Sequence, residues 1–364
     1  MLTKLRQKID QSLSSFLSHV EKDYPLHLIN PILYNSIREF SLREGKRIRP
    51  ILLILSYQGY LPKGKRTPPS LFHASTCIEF LHNFMLIHDD IIDCSNLRRG
   101  KPTMHRLLEH ATPCTNQHKL GTDLAIIAGD IVYALAIDAF LSIKENPVRK
   151  ERALKYFIQT AAFTALGEFV DTLHGVDALK NITEKDVFLN YSLKTARYTF
   201  NCPLVTGAIL AGAPEREIKH LAEFGLSIGQ AFQIQDDIIG IFQTEQEIGK
   251  SILSDLEEQK KTLLIVHAFQ TLSGQPQRAF VKLFTKPRKT MADLESIKKM
   301  LINSESLHYA LEAIKTRLTK ADAILTKLTM KPANRRMIGT SLFQFFRQAQ
   351  AVADANNIKI KLLR

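Results

Sequence analysis

Along most of the chain, apolar residues recur at helical spacing, and the pieces between turn-forming residues are long enough for helices. The first stretch, MLTKLRQKIDQSLSSFLSHVEKDYP, interleaves apolar positions with charges in this way and predicts a packed first helix. Pro25 and Pro31 bracket a break, and a second helical piece then runs to Glu44. An apolar run, ILLILSYQGYL, follows GKRIRP, and a loop rich in proline and lysine covers residues 61–70. A long helix without breakers is predicted from near Leu71 to Asp89. Residues 121–140 are nearly all apolar, with small side chains at Ala125, Ala128, Gly129, Ala134 and Ala136. They predict a buried helix packed closely on its neighbours, and Asp123, Asp130 and Asp138 argue against a membrane span. Residues 150–175 form a further helix, and Lys194 and Thr195 fall inside the helical pattern of YSLKTARYTF. Another apolar run ends in FQIQDDIIG. Beyond Leu264 the helices break near residues 274–276, at Pro287 and at Pro332, with one long helical pattern over residues 293–328 and a basic tail, NNIKIKLLR.

Sparse glycine (16) and proline (14) in 364 residues, 45% of them hydrophobic, reinforce an all-α chain with a sizeable core. A net charge of +13 suits nucleic acid, an anionic membrane or an anionic small molecule. The lysines and arginines are dispersed, with no aromatic-flanked basic tract, so nucleic acid is set aside. Cys77, Cys94, Cys114 and Cys202 lack metal-ligand or disulfide-framework spacing, and the N-terminus lacks the continuous apolar core of a secretory signal. A reducing, cytoplasmic setting is the expectation, with no transmembrane segment.

The chemistry concentrates where apolar runs end in acid. Asp89, Asp90 and Asp93 close the first such run, and on a helix Asp89 and Asp93 would sit one turn apart, roughly 6 Å between Cβ atoms. Carboxylates that close repel unless a cation lies between them, and Mg²⁺ held by few carboxylates usually also holds a phosphate. A solvated helix end is the competing reading of one such motif. The recurrence at Asp236 and Asp237 shifts the balance towards two helices presenting carboxylates to a shared metal and phosphate cluster. Cations fit the same scheme. Lys46 and Arg49, spaced i,i+3 in GKRIRP, would aim the same way if the helix had already begun, although a basic surface turn has the same look. Arg98 and Arg99 follow the first acidic cluster, and His82 precedes it by more than a turn, placed either to meet the same anion or to pack in the core. Lys194 and Thr195 would cost free energy in an apolar helix unless both found partners, and a phosphate oxygen would serve. Glu168 and Asp171, spaced i,i+3, read as outer support for metal or as a polar face.

Taken in order, GKRxRP, HxxxLIHDDxxD, LRRGKPT, LKT, FQIQDD, GK and SDLEEQKKTLL resemble the trans-type isoprenyl diphosphate synthases, or polyprenyl synthetases, from about Gly45 to Leu264. The resemblance implies one all-α domain over residues 1–364, a bundle of about ten or more helices around a deep central cavity, and a homodimer. It implies an Mg²⁺-dependent prenyltransferase that joins an allylic diphosphate to isopentenyl diphosphate, with about three ions per site. Asp89, Asp93 and Asp236 would ligate metal, with Asp90 and Asp237 in support. Arg98, Lys194 and Lys250 would hold the allylic diphosphate; Lys46, Arg49, His82 and Arg99 would hold isopentenyl diphosphate. Thr195 and Gln233 would turn oxygens towards the developing allylic cation, and Asp255 would steady Lys250. Gly240 stands where many members carry a third aspartate, and Glu168 where glutamine is common.

Phe84 and Met85, by the same resemblance, would set the floor of the chain-elongation pocket. Phe84 is roughly 7 to 8 Å along the helix from Asp89. That depth, HNF before the acidic motif and the uninterrupted DDIID point to a short product, geranylgeranyl or farnesyl diphosphate. The rivals are a longer-chain synthase, a terpene cyclase, which would lack GKRxRP and the second acidic pair, and a non-catalytic subunit, which would have lost some of these carboxylates and cations.

Overall fold

Most helices form where the apolar spacing predicts them, although the stretch expected as one helix from near Leu71 to Asp89 is two, Ser70–Ser75 and Cys77–Ile92, meeting at Thr76. The first covers Leu2–Asp23 and buries Leu5, Ile9, Leu13, Phe16, Leu17 and Val20 along one stripe. Asn30 caps the next long helix, Pro31–Leu42, by accepting the Leu33 N–H at 3.1 Å, with Pro31 at the first position, where a missing N–H costs nothing. That helix stops two residues short of the expected Glu44. The computed structural model describes residues 2–98, 100–112, 114–243 and 254–362. Arg99 and Lys250 lie outside the described residues, as does the side chain of Asp255.

The chain divides into two compact units, Met1–Ala161 with Cys202–Ile218 and Met330–Asn334, and Ala162–Asn201 with Lys219–Thr329 and Arg335–Arg364. Among the described residues the only strands are Leu97–Arg98 and Lys101–Pro102, an antiparallel pair.

In the first unit, helix Cys202–Ala211 is buried over its whole length and packs on Ile48–Tyr60. The approach needs glycine: a Cβ on Gly207 would lie 2.3 Å from the Leu53 carbonyl oxygen. Ser56 donates to the Leu204 carbonyl at 2.6 Å, Tyr60 to Glu217 at 2.8 Å, and Asn334 to the Leu55 carbonyl at 3.1 Å, tying pieces distant in sequence. The apolar stretch anticipated over residues 121–140 is the helix Gln117–Leu141, with Gly121, Ala125, Ala128 and Gly129 buried. By length and composition it could cross a membrane, and 44% of its most apolar window is buried inside the protein.

In the second unit a π-helix, Tyr191–Asn201, replaces the regular helix expected around Lys194. Glycines on its two neighbours admit its wider turn. A Cβ on Gly167 would lie 2.5 Å from the Lys194 nitrogen, and one on Gly229 would lie 2.3 Å from the Ala196 Cβ. The long pattern over residues 293–328 is two helices, Met291–Asn303 and Ser306–Lys327, because Glu305 adopts a left-handed conformation at φ 57°. The basic tail folds back on helix Arg347–Ala355. The Gln350 amide donates to the Ile360 carbonyl and accepts from the Leu362 N–H, each at 2.9 Å, and both apolar side chains are buried.

Candidate active site

The acidic cluster of the first unit forms at the end of the helix Cys77–Ile92, with Asp93 as its C-cap. Asp93 donates its backbone N–H to the Asp89 carbonyl at 2.8 Å, which places the two side chains one turn apart as expected. A carboxylate oxygen from each comes within 4.8 Å of the other, a spacing one divalent cation can bridge. Asp90, between them in sequence, is fully buried. Arg98 spans the neighbouring acids, donating from Nε to Asp90 Oδ1 at 2.7 Å and from Nη2 to Asp89 Oδ2 at 3.0 Å. Burial pushes the Asp90 carboxyl up to about 6 against the pull of Arg98, with Asp89 and Asp93 adding to the rise.

The basic motif before this helix departs from its expected geometry. The helix starts at Ile48, so Arg49 lies in its first turn, half-buried, while Lys46 precedes it and is exposed. The helical i,i+3 pairing of the two is therefore absent, because Arg47 between them takes a left-handed turn at φ 49°. Arg47, not among the expected site residues, points inward, pairing with Glu79 and Asp10 at 2.8 Å each and donating to the Arg43 carbonyl. His82 is buried two turns before Asp89. Phe84 and Met85 are half-buried, and the Phe84 ring packs against His88 and Tyr133 at centroid distances of 4.7 and 4.9 Å. Gly129 makes room for His88: a Cβ there would lie 2.3 Å from its ring.

The second unit holds a small pocket of about 80 Å³ lined by Asp171, Tyr191, Lys194, Thr195, Gln233, Asp237, Lys260 and Lys261, among others. The Lys194 ammonium sits between Asp171 at 2.7 Å and Glu168 at 2.9 Å. Carboxylates thus supply the partners that Lys194 was expected to need, and Asn190 holds the second oxygen of Asp171 at 2.7 Å. Thr195 donates to Gln233 Oε1 at 2.6 Å, and Gln233 Nε2 donates to Asp237 Oδ1 at 3.1 Å. Tyr191 donates to Asp237 Oδ2. Burial, with the Asp237 charge beside it, pushes the Tyr191 phenol well above its usual range, so it keeps its proton and remains a donor. Asp236, one residue earlier, is exposed. Lys261 donates to the Gly175 carbonyl at 2.6 Å.

Chemically, the first cluster offers paired carboxylates for a hard cation, and the second offers ammonium groups beside a neutral hydroxyl. Thr195 gives its proton to Gln233, so what it presents elsewhere is lone-pair density. Tyr191, Asn190, Arg47 and Lys261 were not singled out from sequence. Their signal is tertiary, since each meets its partner across a sequence separation that no local pattern encodes.

Residues 30–301 match the polyprenyl synthetase family, and the chain belongs to it. The chain is 34% identical over 275 residues to the geranylgeranyl diphosphate synthase of Saccharolobus solfataricus, covering 74% of this chain and 76% of that one. It is 30% identical over 304 residues to a short chain isoprenyl diphosphate synthase of Methanocaldococcus jannaschii, covering 84% and 83%. Its fold matches geranylgeranyl pyrophosphate synthase from Corynebacterium glutamicum, complexed with isoprenyl diphosphate and magnesium, at a TM-score of 0.86 and 24% identity over 96% of this chain and 99% of that one. The protein is a prenyltransferase that elongates short prenyl diphosphates, and the all-α architecture expected from its sequence is the one observed.

Proposed function

We propose that the protein condenses an allylic diphosphate with isopentenyl diphosphate in an Mg²⁺-dependent reaction and stops at geranylgeranyl or farnesyl diphosphate. The observation that carries this reading is the convergence of Lys194, Thr195, Gln233 and Asp237 on one pocket. A cation for the leaving diphosphate and a neutral oxygen for the allylic carbon are thereby held side by side. Asp89, Asp93 and Asp236 are the carboxylates suited to Mg²⁺, with Asp90 and Asp237 supporting them, and about three ions per site would complete the set. When bound, the ions supply Lewis-acid stabilisation of the charge growing on the departing pyrophosphate. Lys194 adds a positive charge to the same oxygens, as do Arg98 and, outside the described residues, Lys250. Lys46, Arg49, His82 and Arg99 are proposed for isopentenyl diphosphate. Thr195 and Gln233 turn neutral oxygen towards the allylic cation without offering it a nucleophilic charge. The ring of Phe84, packed on Tyr133 and next to Met85 in the chain, is proposed as the floor that limits the growing chain.

Residues 1–364 are proposed to work as one catalytic domain, in the cytoplasm and as a homodimer. Exposed Leu166, Phe169 and Leu173, which recur at helical spacing on Pro147–Val176, support the dimer. The test is elongation by purified protein given isopentenyl diphosphate with dimethylallyl, geranyl or farnesyl diphosphate, with Mg²⁺ or with chelator. Discrete alcohols of geranylgeranyl or farnesyl length after dephosphorylation, seen only with Mg²⁺, are expected. Hydrocarbon product without consumption of isopentenyl diphosphate would overturn the reading in favour of cyclisation.

A further inference from the structure

We propose that Tyr191 is a positioning residue for the reaction, fixing the Asp237 carboxylate and joining it to the start of helix Leu263–Thr271. The inference rests on the reading that the Asp236 and Asp237 pair serves the metal and diphosphate. Tyr191 opens the π-helix three residues before Lys194, and its side chain is buried. A buried phenol needs hydrogen-bond partners, and this one has two of opposite kind. Its hydroxyl donates to Asp237 Oδ2 and accepts the Leu263 N–H at 2.9 Å.

Each contact answers a separate structural need. Leu263 is the first residue of its helix, so its N–H has no carbonyl within the helix to meet. Thr262, the N-cap, spends its side chain on Ile265, which leaves Tyr191 as the acceptor for Leu263. At Asp237 the phenol completes a two-sided clamp, because Gln233 already donates to the opposite oxygen at 3.1 Å. With a donor on each oxygen, rotation of the carboxylate would break a hydrogen bond. The plane of the group is therefore set, and so is the direction of its remaining lone pairs. Gln233 in turn takes the Thr195 proton at 2.6 Å. One side chain thus sets the orientation of an acidic residue, an amide and, through them, the hydroxyl beside Lys194.

Such support of a metal-binding carboxylate typically matters by 10–100-fold in affinity or activity. The test uses Tyr191→Phe, which keeps the ring and its edge contact with Phe188 but removes both hydrogen bonds. Mn²⁺ binding to the folded protein with inorganic pyrophosphate, read by loss of the free-ion paramagnetic resonance signal, should weaken about tenfold. The turnover number should fall by a similar factor while the KM for isopentenyl diphosphate stays within about twofold. Phe188→Leu removes the ring contact and the face on which Arg317 stacks at 3.9 Å but leaves both hydrogen bonds of Tyr191, so it should lower the melting temperature and leave Mn²⁺ affinity unchanged. An unchanged Mn²⁺ affinity in Tyr191→Phe, with only a lowered melting temperature, would reduce Tyr191 to a structural residue. The same question can be put from the other end of the bond. Tyr191→Phe combined with Asp237→Asn should lose no more Mn²⁺ affinity than Asp237→Asn alone, and additive losses would overturn the proposal. Wild-type protein that elongates no primer would instead sink the functional reading on which the inference stands.

Discussion

Truncating Phe84 to alanine should lengthen the product by one isoprene unit. The ring lies five positions before Asp89, which at the helical rise is about 7.5 Å along the axis. It is backed at 4.9 Å by Tyr133 and adjoined at 4.7 Å by His88. A phenyl ring occupies about the room of the carbons in one isoprene unit, so its removal opens space for one more condensation, after which Tyr133 becomes the wall. Tyr133→Ala added to the first change should therefore shift the distribution further, whereas Tyr133→Ala alone should change it little. The variant should stay folded. A fully buried phenylalanine costs about 3–5 kcal/mol to truncate, and a half-buried ring with two aromatic contacts should cost about 2 kcal/mol. The assay is elongation from farnesyl diphosphate with excess isopentenyl diphosphate, followed by chromatography of the dephosphorylated alcohols. A product distribution identical to wild type in folded Phe84→Ala would refute the assignment of the floor.

Further outcomes follow from the same geometry. Lys194→Ala leaves Glu168 and Asp171 facing a diphosphate without their cation, and kcat/KM should fall by about 10²–10³, measured by pyrophosphate release. Gly167→Ala would force a Cβ to 2.5 Å from the Lys194 nitrogen, costing about 1–3 kcal/mol in urea unfolding and lowering activity as the π-helix shifts. Activity close to wild type would show that the π-helix tolerates displacement. Arg47→Met strands Glu79, itself buried, without its guanidinium and should cost about 3–5 kcal/mol; a neutral effect on the urea midpoint would mean Glu79 finds another donor or a proton. Hydrogen bonds from Lys286 and Thr290 hold the Asp293 carboxyl down to about 2 from an ordinary 3.8. Its contribution is therefore full above pH 3.8 and lost as pH falls through about 2, a dependence that Asp293→Asn should remove from the acid side of the stability profile.

Much of this molecule can be read along the chain because its information is local. Helical spacing, prolines at helix starts and acid at the end of an apolar run place the first helix, Pro31 at a helix start, and Asp89 and Asp93 one turn apart. The ordered motifs also identify the family, since a metal-diphosphate site needs the same residue types at the same places in the chain. Other features depend on which surfaces meet. The π-helix at Tyr191–Asn201 exists because Gly167 and Gly229, each more than twenty residues from the segment they touch, let neighbouring backbones approach. Glu305 breaks a helical pattern with no glycine or proline to announce it. Arg47 turns inward to a buried carboxylate on another helix, and its left-handed backbone keeps Lys46 outside the helix that Arg49 has entered, so the helical spacing read from sequence does not apply to the two. Tyr191 looks like one more apolar position until its hydroxyl meets Asp237 and Leu263. Sequence by itself determined most of the helices, the family and which charged groups are candidates for the chemistry, because those depend on near neighbours and residue type. Tertiary structure decided which of those groups are oriented and by what, because hydrogen bonds and close backbone contacts form between segments far apart in the chain.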